Sequence, residues 1–264
     1  MLRGACWCVL LIAAAGAAAN GGAGAPPRTE LVDYRGKGAL KIEVNGLNLP
    51  ILFEQVYRKP DTMLVGVELL GIRSSYLVER NVERSFSPQQ QMIIEKRFRN
   101  LPRAAAHPSL AVQLSAVTFA ELIKAIPMPQ VLGEETQLDF PCRVIELPNR
   151  ALLQQLRGLS PEIERQLGDG KTRVWLTQAH DLPIKIEIYD SQNKPAILFA
   201  FTELAVNTGL KPTDVRLPAP PNALTISVDV DLSDPKWEEK MERAIQEQMQ
   251  RQLQGTRPPR RNPR

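Results

Sequence analysis

From Ala39 to Phe98, β-forming residues alternate with polar ones in short runs parted by short turns. No helix-length amphipathic segment intervenes. The run "ALKIEVN" (39–45) places Leu40, Ile42 and Val44 on one face and Lys41 and Glu43 on the other. A "GLN" turn leads to "LPILFEQVY" (49–57), predicted to close a hairpin with it. "DTMLVGVELLG" (61–71) puts Met63, Val65, Val67 and Leu69 on one face. "SSYLVER" (74–80), "VERSFSP" (82–88) and "QMIIEKRF" (91–98) continue the up-and-down pattern. Strands that follow one another without crossover helices build an antiparallel meander and exclude a βαβ fold.

The middle of the chain changes period. "PSLAVQLSAVTFAELIKAI" (108–126) carries a broad apolar helical face that includes Leu114, Phe119 and Leu122. It is predicted to start near Pro108-Ser109 and to stop at Pro127. "ETQLDFPCRVIEL" (135–147) reads as one or two strands and "NRALLQQLRGL" (149–159) as a helix. "SPEIERQLG" (160–168) reads as a further helix, with Ser160 as N-cap and Pro161 at the first helical position. Strand signals return in "TRVWLTQ" (172–178), "LPIKIEIYD" (182–190), "PAILFAFTELAVN" (195–207) and "ALTISVDV" (223–230). "SDPKWEEKMERAIQEQMQRQLQG" (233–255) is a capped helix whose apolar residues, Trp237, Met241, Ile245, Met249 and Leu253, recur every fourth position. So narrow a stripe suits a peripheral or partner-binding helix. An antiparallel sheet of this many strands must curl. Periodicity leaves open whether its inside is filled or hollow.

The ends carry different information. "MLRGACWCVLLIAAAGAAAN" has Arg3, a short apolar run and the small-residue site Ala17-Ala18-Ala19, the pattern of an export signal. Residues 1–25 are expected to be such a signal, removed on export; an uncleaved anchor is the alternative. Setting aside Arg3 and the four arginines after Gly255 lowers the net charge from +4 to about −1. The basic balance thus lies in the tail, and no nucleic-acid-binding face is expected. Cys142 is the one cysteine beyond the leader, so a core rather than a disulfide must hold the fold.

Chemistry-bearing residues are sparse. The two histidines stand apart, His107 before a proline at a predicted helix start and His180 in a predicted turn, and no Cys/His cluster has metal-ligand spacing. "GDGKT" (168–172) ends like a phosphate-binding loop, but Arg165 stands where that motif needs glycine and a strand follows. No catalytic residue, metal or cofactor is expected. What remains is apolar surface: Leu40, Ile42, Phe53, Met63, Val65, Val67, Tyr76, Phe86, Trp175, Phe199 and Phe201 on predicted strands, under the 108–126 helix. Singly, each reads as core. Together they allow a cavity for an apolar ligand beneath a helical lid.

Two stretches resemble the LolA/LolB-like lipoprotein-carrier superfamily. Residues 36–96 begin with "GKGAL", a G-x-G-x-L strand, followed by a strand that ends in Lys59-Pro60. Residues 173–222 hold a "DLP" hairpin, a long strand and "NTGLKPTDVRLPAPPN". The resemblance implies an α+β fold: a curved antiparallel half-barrel of about 9–11 strands, covered by a helical lid over roughly 108–168. That domain would span 26–232, with an extra C-terminal helix and basic tail over 233–264. It implies a periplasmic carrier that takes the acyl chains of a lipoprotein or phospholipid toward the outer membrane, served by a membrane-bound donor or acceptor protein. The alternative is a lipid- or stress-sensing regulator of the same fold that docks a membrane-anchored partner through the C-terminal helix. One branch latches its lid with an arginine before the strand-end proline. Lys59 holds that place here and Arg58 precedes it. Another branch bears a protruding apolar hook, for which Leu69-Leu70-Gly71-Ile72 is the candidate.

Overall fold

The computed structural model describes residues 27–44, 47–100, 115–126, 129–153 and 167–255, with Val112 and Arg165. The predicted leader, His107, Leu114, the Ser160 cap and the basic tail lie outside the described residues.

Six strands follow in direct succession: β1 (Asp33–Val44), β2 (Leu47–Arg58), β3 (Thr62–Leu69), β4 (Ile72–Glu79), β5 (Val82–Ser87) and β6 (Met92–Arg99). Helix α1 (Ala116–Ala125) comes next. Then come β7 (Gln130–Gln137), β8 (Phe140–Pro148), the short helix α2 (Asn149–Leu153), β9 (Lys171–Thr177), β10 (Pro183–Tyr189) and β11 (Pro195–Val206). A 3-10 turn at Pro212–Asp214, β12 (Leu224–Asp231) and α3 (Trp237–Gly255) complete the order. The alternation located β2 to β6 to within a few residues, because period 2 is visible there, whereas β1 begins at Asp33, six residues before its predicted start.

All twelve strands form one sheet in the order β12-β6-β5-β4-β3-β2-β1-β11-β10-β9-β8-β7. This is one strand more than the predicted range, because β7 and β8 are separate and β12 joins the edge. β12 runs parallel to β6, from Leu224 beside Met92 to Asp231 beside Arg99, so the sheet is not wholly antiparallel. The sheet is open and curved as a half-barrel, since side chains from β1 to β6 and from β11 line one shared cavity.

The two glycines of "GKGAL" have a steric reason. A Cβ on Gly36 would meet the Phe201 ring at 2.5 Å. One on Gly38 would meet Ala200 O at 2.2 Å and Phe53 Cζ at 2.4 Å. Only bare backbone lets the rings of Phe53 and Phe201 lie down across β1. The later "NTGL" has an electrostatic one. The buried Asp33 carboxylate accepts from Thr208 N at 2.8 Å, Gly209 N at 3.0 Å and Leu210 N at 3.1 Å, and Gly209 takes φ +77°. This turn brings Leu210, Val215 and Leu217 onto Val56, Leu64 and Leu77, covering the outer face of β2 to β4.

Helix α1 starts later than its apolar periodicity suggests. Ser115 caps it, accepting from Thr118 N at 3.3 Å, and Ile126 ends it just before Pro127. Its buried face, Ala116, Thr118, Phe119, Leu122 and Ile123, lies on the inner side of the sheet, with Phe119 and Ile123 in the main core beside Ile184, Ile186 and Phe199. Helix α3 covers the other end of that side. Trp237, Met241, Ala244, Ile245 and Met249 pack on Met92, Phe98, Ile226, Val228 and Val230. The apolar stripe expected to suit a partner is therefore spent against the protein's own edge strands. No helix among the described residues is long and apolar enough to cross a membrane.

Candidate functional site

The inner face of the sheet holds a cavity of about 550 Å³. It is lined by Leu40, Ile51, Phe53, Gln55, Val65, Val67, Leu69, Leu70, Ile72, Ser74, Tyr76, Glu83, Lys96 and Phe199. Strand pairing sets this wall. Leu40 stands beside Ile51 and Phe199, Phe53 beside Val67, and Gln55 beside Val65, which in turn stands beside Tyr76. Side chains at every second position therefore meet on one face.

Of the side chains expected to bind an apolar ligand, Leu40, Phe53, Val65, Val67, Tyr76 and Phe199 line this cavity. The rest sit elsewhere. Phe201 stands edge-on to Phe53 and Phe199, with ring centroids 5.3 Å from each, and Ile42 packs against the same core. Met63 packs with Val65, Val78 and Val112. Phe86 and Trp175 occupy the opposite face. Phe86 pairs with Ser75, one place out of phase with Tyr76. Trp175 pairs with Lys185, one place out of phase with Ile186, which pairs with Phe199. The Trp175 ring lies 4.2 Å under the Lys185 ammonium and donates from Nε1 to Glu135 Oε2 at 2.7 Å. Both sides of β9 are buried, so alternation could not say which faced the cavity.

The aromatic floor is tightly built. Phe53 and Phe199 stack at 4.6 Å with 2° between ring planes, and Phe119 of α1 reaches Phe199 at 6.3 Å. Leu122 is fully buried, and Leu114 lies outside the described residues.

Among the described residues neither Arg58 nor Lys59 has a hydrogen bond or ion pair to α1. Arg58 Nε donates to Leu210 O at 3.1 Å, tying the end of β2 to the Asp33 turn. Lys59 pairs with Glu30 and holds that carboxyl below its ordinary pKa through a hydrogen bond and charge. A different polar contact meets the start of α1. Gln55 Oε1 accepts from Tyr34 Oη at 2.9 Å and from Ala116 N, at the start of α1, at 3.1 Å. Burial pushes the Tyr34 phenol well above its ordinary pKa, so it remains a donor. Gln55 was detectable in principle. It is the polar residue in phase with Ile51, Phe53 and Tyr57 on an otherwise apolar face.

The cavity has an apolar rim and a polar end. The rim is the β3–β4 turn, where Leu70 and Gly71 both take positive φ and Leu70 is 79% exposed. The hook candidate Leu69-Leu70-Gly71-Ile72 is this rim. At the polar end, Lys96 Nζ lies 2.9 Å from Glu83 Oε1, with Glu83 only 1% exposed. Among the described residues no group of three or more histidine, cysteine, aspartate or glutamate side chains is placed to hold a metal ion. The Cys142 thiol is pushed up to about 11 by burial.

No family model and no curated protein matches the chain. Three solved structures illustrate what it is similar to. One is an uncharacterized conserved protein from Thermus thermophilus, at 10% identity and TM-score 0.42, over 75% of this chain and 91% of that one. Another is Pseudomonas aeruginosa MucB, solved in complex with MucA, at 13% identity and TM-score 0.41, over 70% of this chain and 55% of that one. A third is a LolA superfamily protein from Nitrosomonas europaea, at 12% identity and TM-score 0.33, over 72% of this chain and 92% of that one.

Proposed function

We propose that this protein is a periplasmic carrier that shelters an acyl chain of a lipoprotein or phospholipid in the cavity on the inner face of the sheet. The observation that carries the reading is the cavity itself: about 550 Å³ on the inner face of a curved sheet, walled by Leu40, Ile51, Phe53, Val65, Val67, Leu69 and Phe199. A water takes about 30 Å³ in the liquid and a methylene is of like size, so the space suits one long acyl chain rather than two or three. Burial at about 0.8 kcal/mol per methylene gives a sixteen-carbon chain roughly 10 kcal/mol before the entropic cost of association. No covalent step is required. Opening of α1 gates loading, and the direction of transfer is set by the relative affinities of the donor and acceptor membranes or proteins.

The test is native mass spectrometry of the full chain, exported and purified without detergent, followed by solvent extraction. An added mass that extraction identifies as an acylated molecule, lost in Val67→Asp while the far-ultraviolet circular dichroism is kept, supports the reading. A clean apo mass, with no uptake of the uncharged fluorophore N-phenyl-1-naphthylamine, refutes it.

A further inference from the structure

The sheet ends differently at its two edges. At one, β12 is covered by α3, which packs on Ile226, Val228 and Val230 and whose Gln248 Nε2 donates to Ser227 O at 2.8 Å. At the other, β7 pairs with β8 and with no further strand. Among the described residues nothing hydrogen-bonds to the backbone of β7 from the side away from β8. Residues 130–136 are all exposed, Val131 at 57% and Leu132 at 43%. The strand is eight residues long, or about 26 Å. β8, β9 and β10 separate it from β11, which supplies Phe199 to the cavity wall, so this edge is a surface distinct from the cavity.

An edge whose N–H and C=O groups are unmet accepts an extended chain unless side chains prevent it. β7 has neither lysine nor proline, two residues that commonly close such an edge. What it has is negative charge. Residues 130–142 hold Glu134, Glu135 and Asp139 and no lysine or arginine. Consecutive residues point to opposite faces, so Glu134 and Glu135 charge both sides of the strand. Glu134 stands beside Arg143, but that guanidinium is taken by Asp181 Oδ1 at 3.3 Å. Glu135 Oε2 accepts from the uncharged indole of Trp175 at 2.7 Å. Among the described residues none of the three carboxylates has an ion pair. A second copy of β7 on this edge would gather four glutamates in one two-stranded ladder with no cation among them. A strand that brings cations is attracted instead.

We infer that the free edge of β7 is a docking site for an extended, basic segment of a partner protein, which adds to the sheet as a further strand. For an antiparallel segment the register is set by two consecutive lysine or arginine residues against Glu135 and Glu134. After one more residue, two apolar ones lie against Leu132 and Val131. Proline is excluded from the paired positions. The chain's own basic end, "TRPPRRNPR", has three prolines and does not suit the edge. This docking is independent of what the cavity holds.

The experiment is fluorescence anisotropy of labelled heptapeptides with the full chain at low ionic strength. The probe is Thr-Lys-Lys-Thr-Val-Val-Thr, amidated and carrying fluorescein at its N-terminus, and its counterpart has both lysines changed to glutamate. The lysine peptide should bind roughly tenfold or more tightly than the glutamate one. Glu134→Lys changes an exposed side chain, so the fold is kept, which circular dichroism checks. In that variant the ratio should fall several-fold. Charge alone would give these results without a ladder, so the deciding readout is backbone methylation. Only alternate amides of an added strand face β7. Methylating every second amide of the lysine peptide should abolish binding in one phase and spare it in the other. Amide exchange should slow in Gln130–Gln137, and not in Leu224–Asp231, when the lysine peptide is added. Equal binding of the two methylated peptides overturns the inference, as does a ratio unchanged in Glu134→Lys. So does a lack of binding at roughly 1 mM peptide. Sedimentation as a dimer whose formation protects β7 from exchange would assign the edge to a second copy and overturns it too.

Discussion

Replacing Gln55 by methionine should loosen α1 without disturbing the sheet. Methionine keeps the length of the side chain and removes the amide oxygen that accepts from Tyr34 Oη at 2.9 Å and from Ala116 N at 3.1 Å. The phenol donor, in a side chain 0% exposed, loses its acceptor. One buried donor left unsatisfied costs about 1–3 kcal/mol. For a chain of this size that is a fall in Tm of about 2–12 °C. Because α1 meets the rest of the fold over one face, the loss should appear first as local opening. At tenfold per 1.4 kcal/mol, amide exchange in Ala116–Ala125 should accelerate about 5- to 150-fold while β1 and β2 change less. Native-state hydrogen exchange by mass spectrometry, alongside calorimetry, measures both. An unchanged Tm together with unchanged protection in α1 would show that the Tyr34–Gln55 contact does not hold the helix.

Other consequences follow from the same geometry. Gly38→Ala would place a methyl 2.2 Å from Ala200 O and 2.4 Å from the Phe53 ring. It should cost about 1–3 kcal/mol or more, read as a lowered midpoint in urea. Glu95 is held below its ordinary pKa by hydrogen bonds from Arg84 and then Arg97, against the effect of burial. A carboxylate with a depressed folded pKa stabilises above its unfolded value and stops doing so as pH falls through the folded one. Glu95→Gln should therefore cost about 1–3 kcal/mol at pH 7, and its Tm should converge on that of the unaltered protein as pH drops below 4.5. Ending the chain at Leu232 would uncover Met92, Phe98, Ile226, Val228 and Val230. The truncated chain should bind 8-anilinonaphthalene-1-sulfonate and aggregate on warming, and if it stays monomeric with an unchanged Tm, α3 is not part of the core.

What could be read in advance depended on how each strand is covered. β3 and β4 were legible because Met63, Val65 and Val67 alternate with less apolar neighbours, and six of the expected cavity residues do meet. Phe86 was assigned to the wrong face because β5 buries Glu83 on the inner side and Phe86 on the outer one, so apolar character did not mark the inner face. A strand with two buried faces gives alternation no direction. β7 was blurred into its neighbour because nearly all its residues are exposed, leaving no pattern of burial to see.

The sequence by itself determined the meander, the turn positions and the two glycines of "GKGAL", because these depend on local period and backbone sterics. Only the tertiary structure decided that β12 returns parallel to β6, that the α3 stripe is consumed by the sheet edge, and that Gln55 rather than Arg58 or Lys59 meets α1. It also decided that Glu83 and Lys96 face each other at the end of an apolar cavity. Each of these is a pairing between residues whose proximity depends on strand order and register. A one-residue slip in either would send the same side chains to the other face of the sheet.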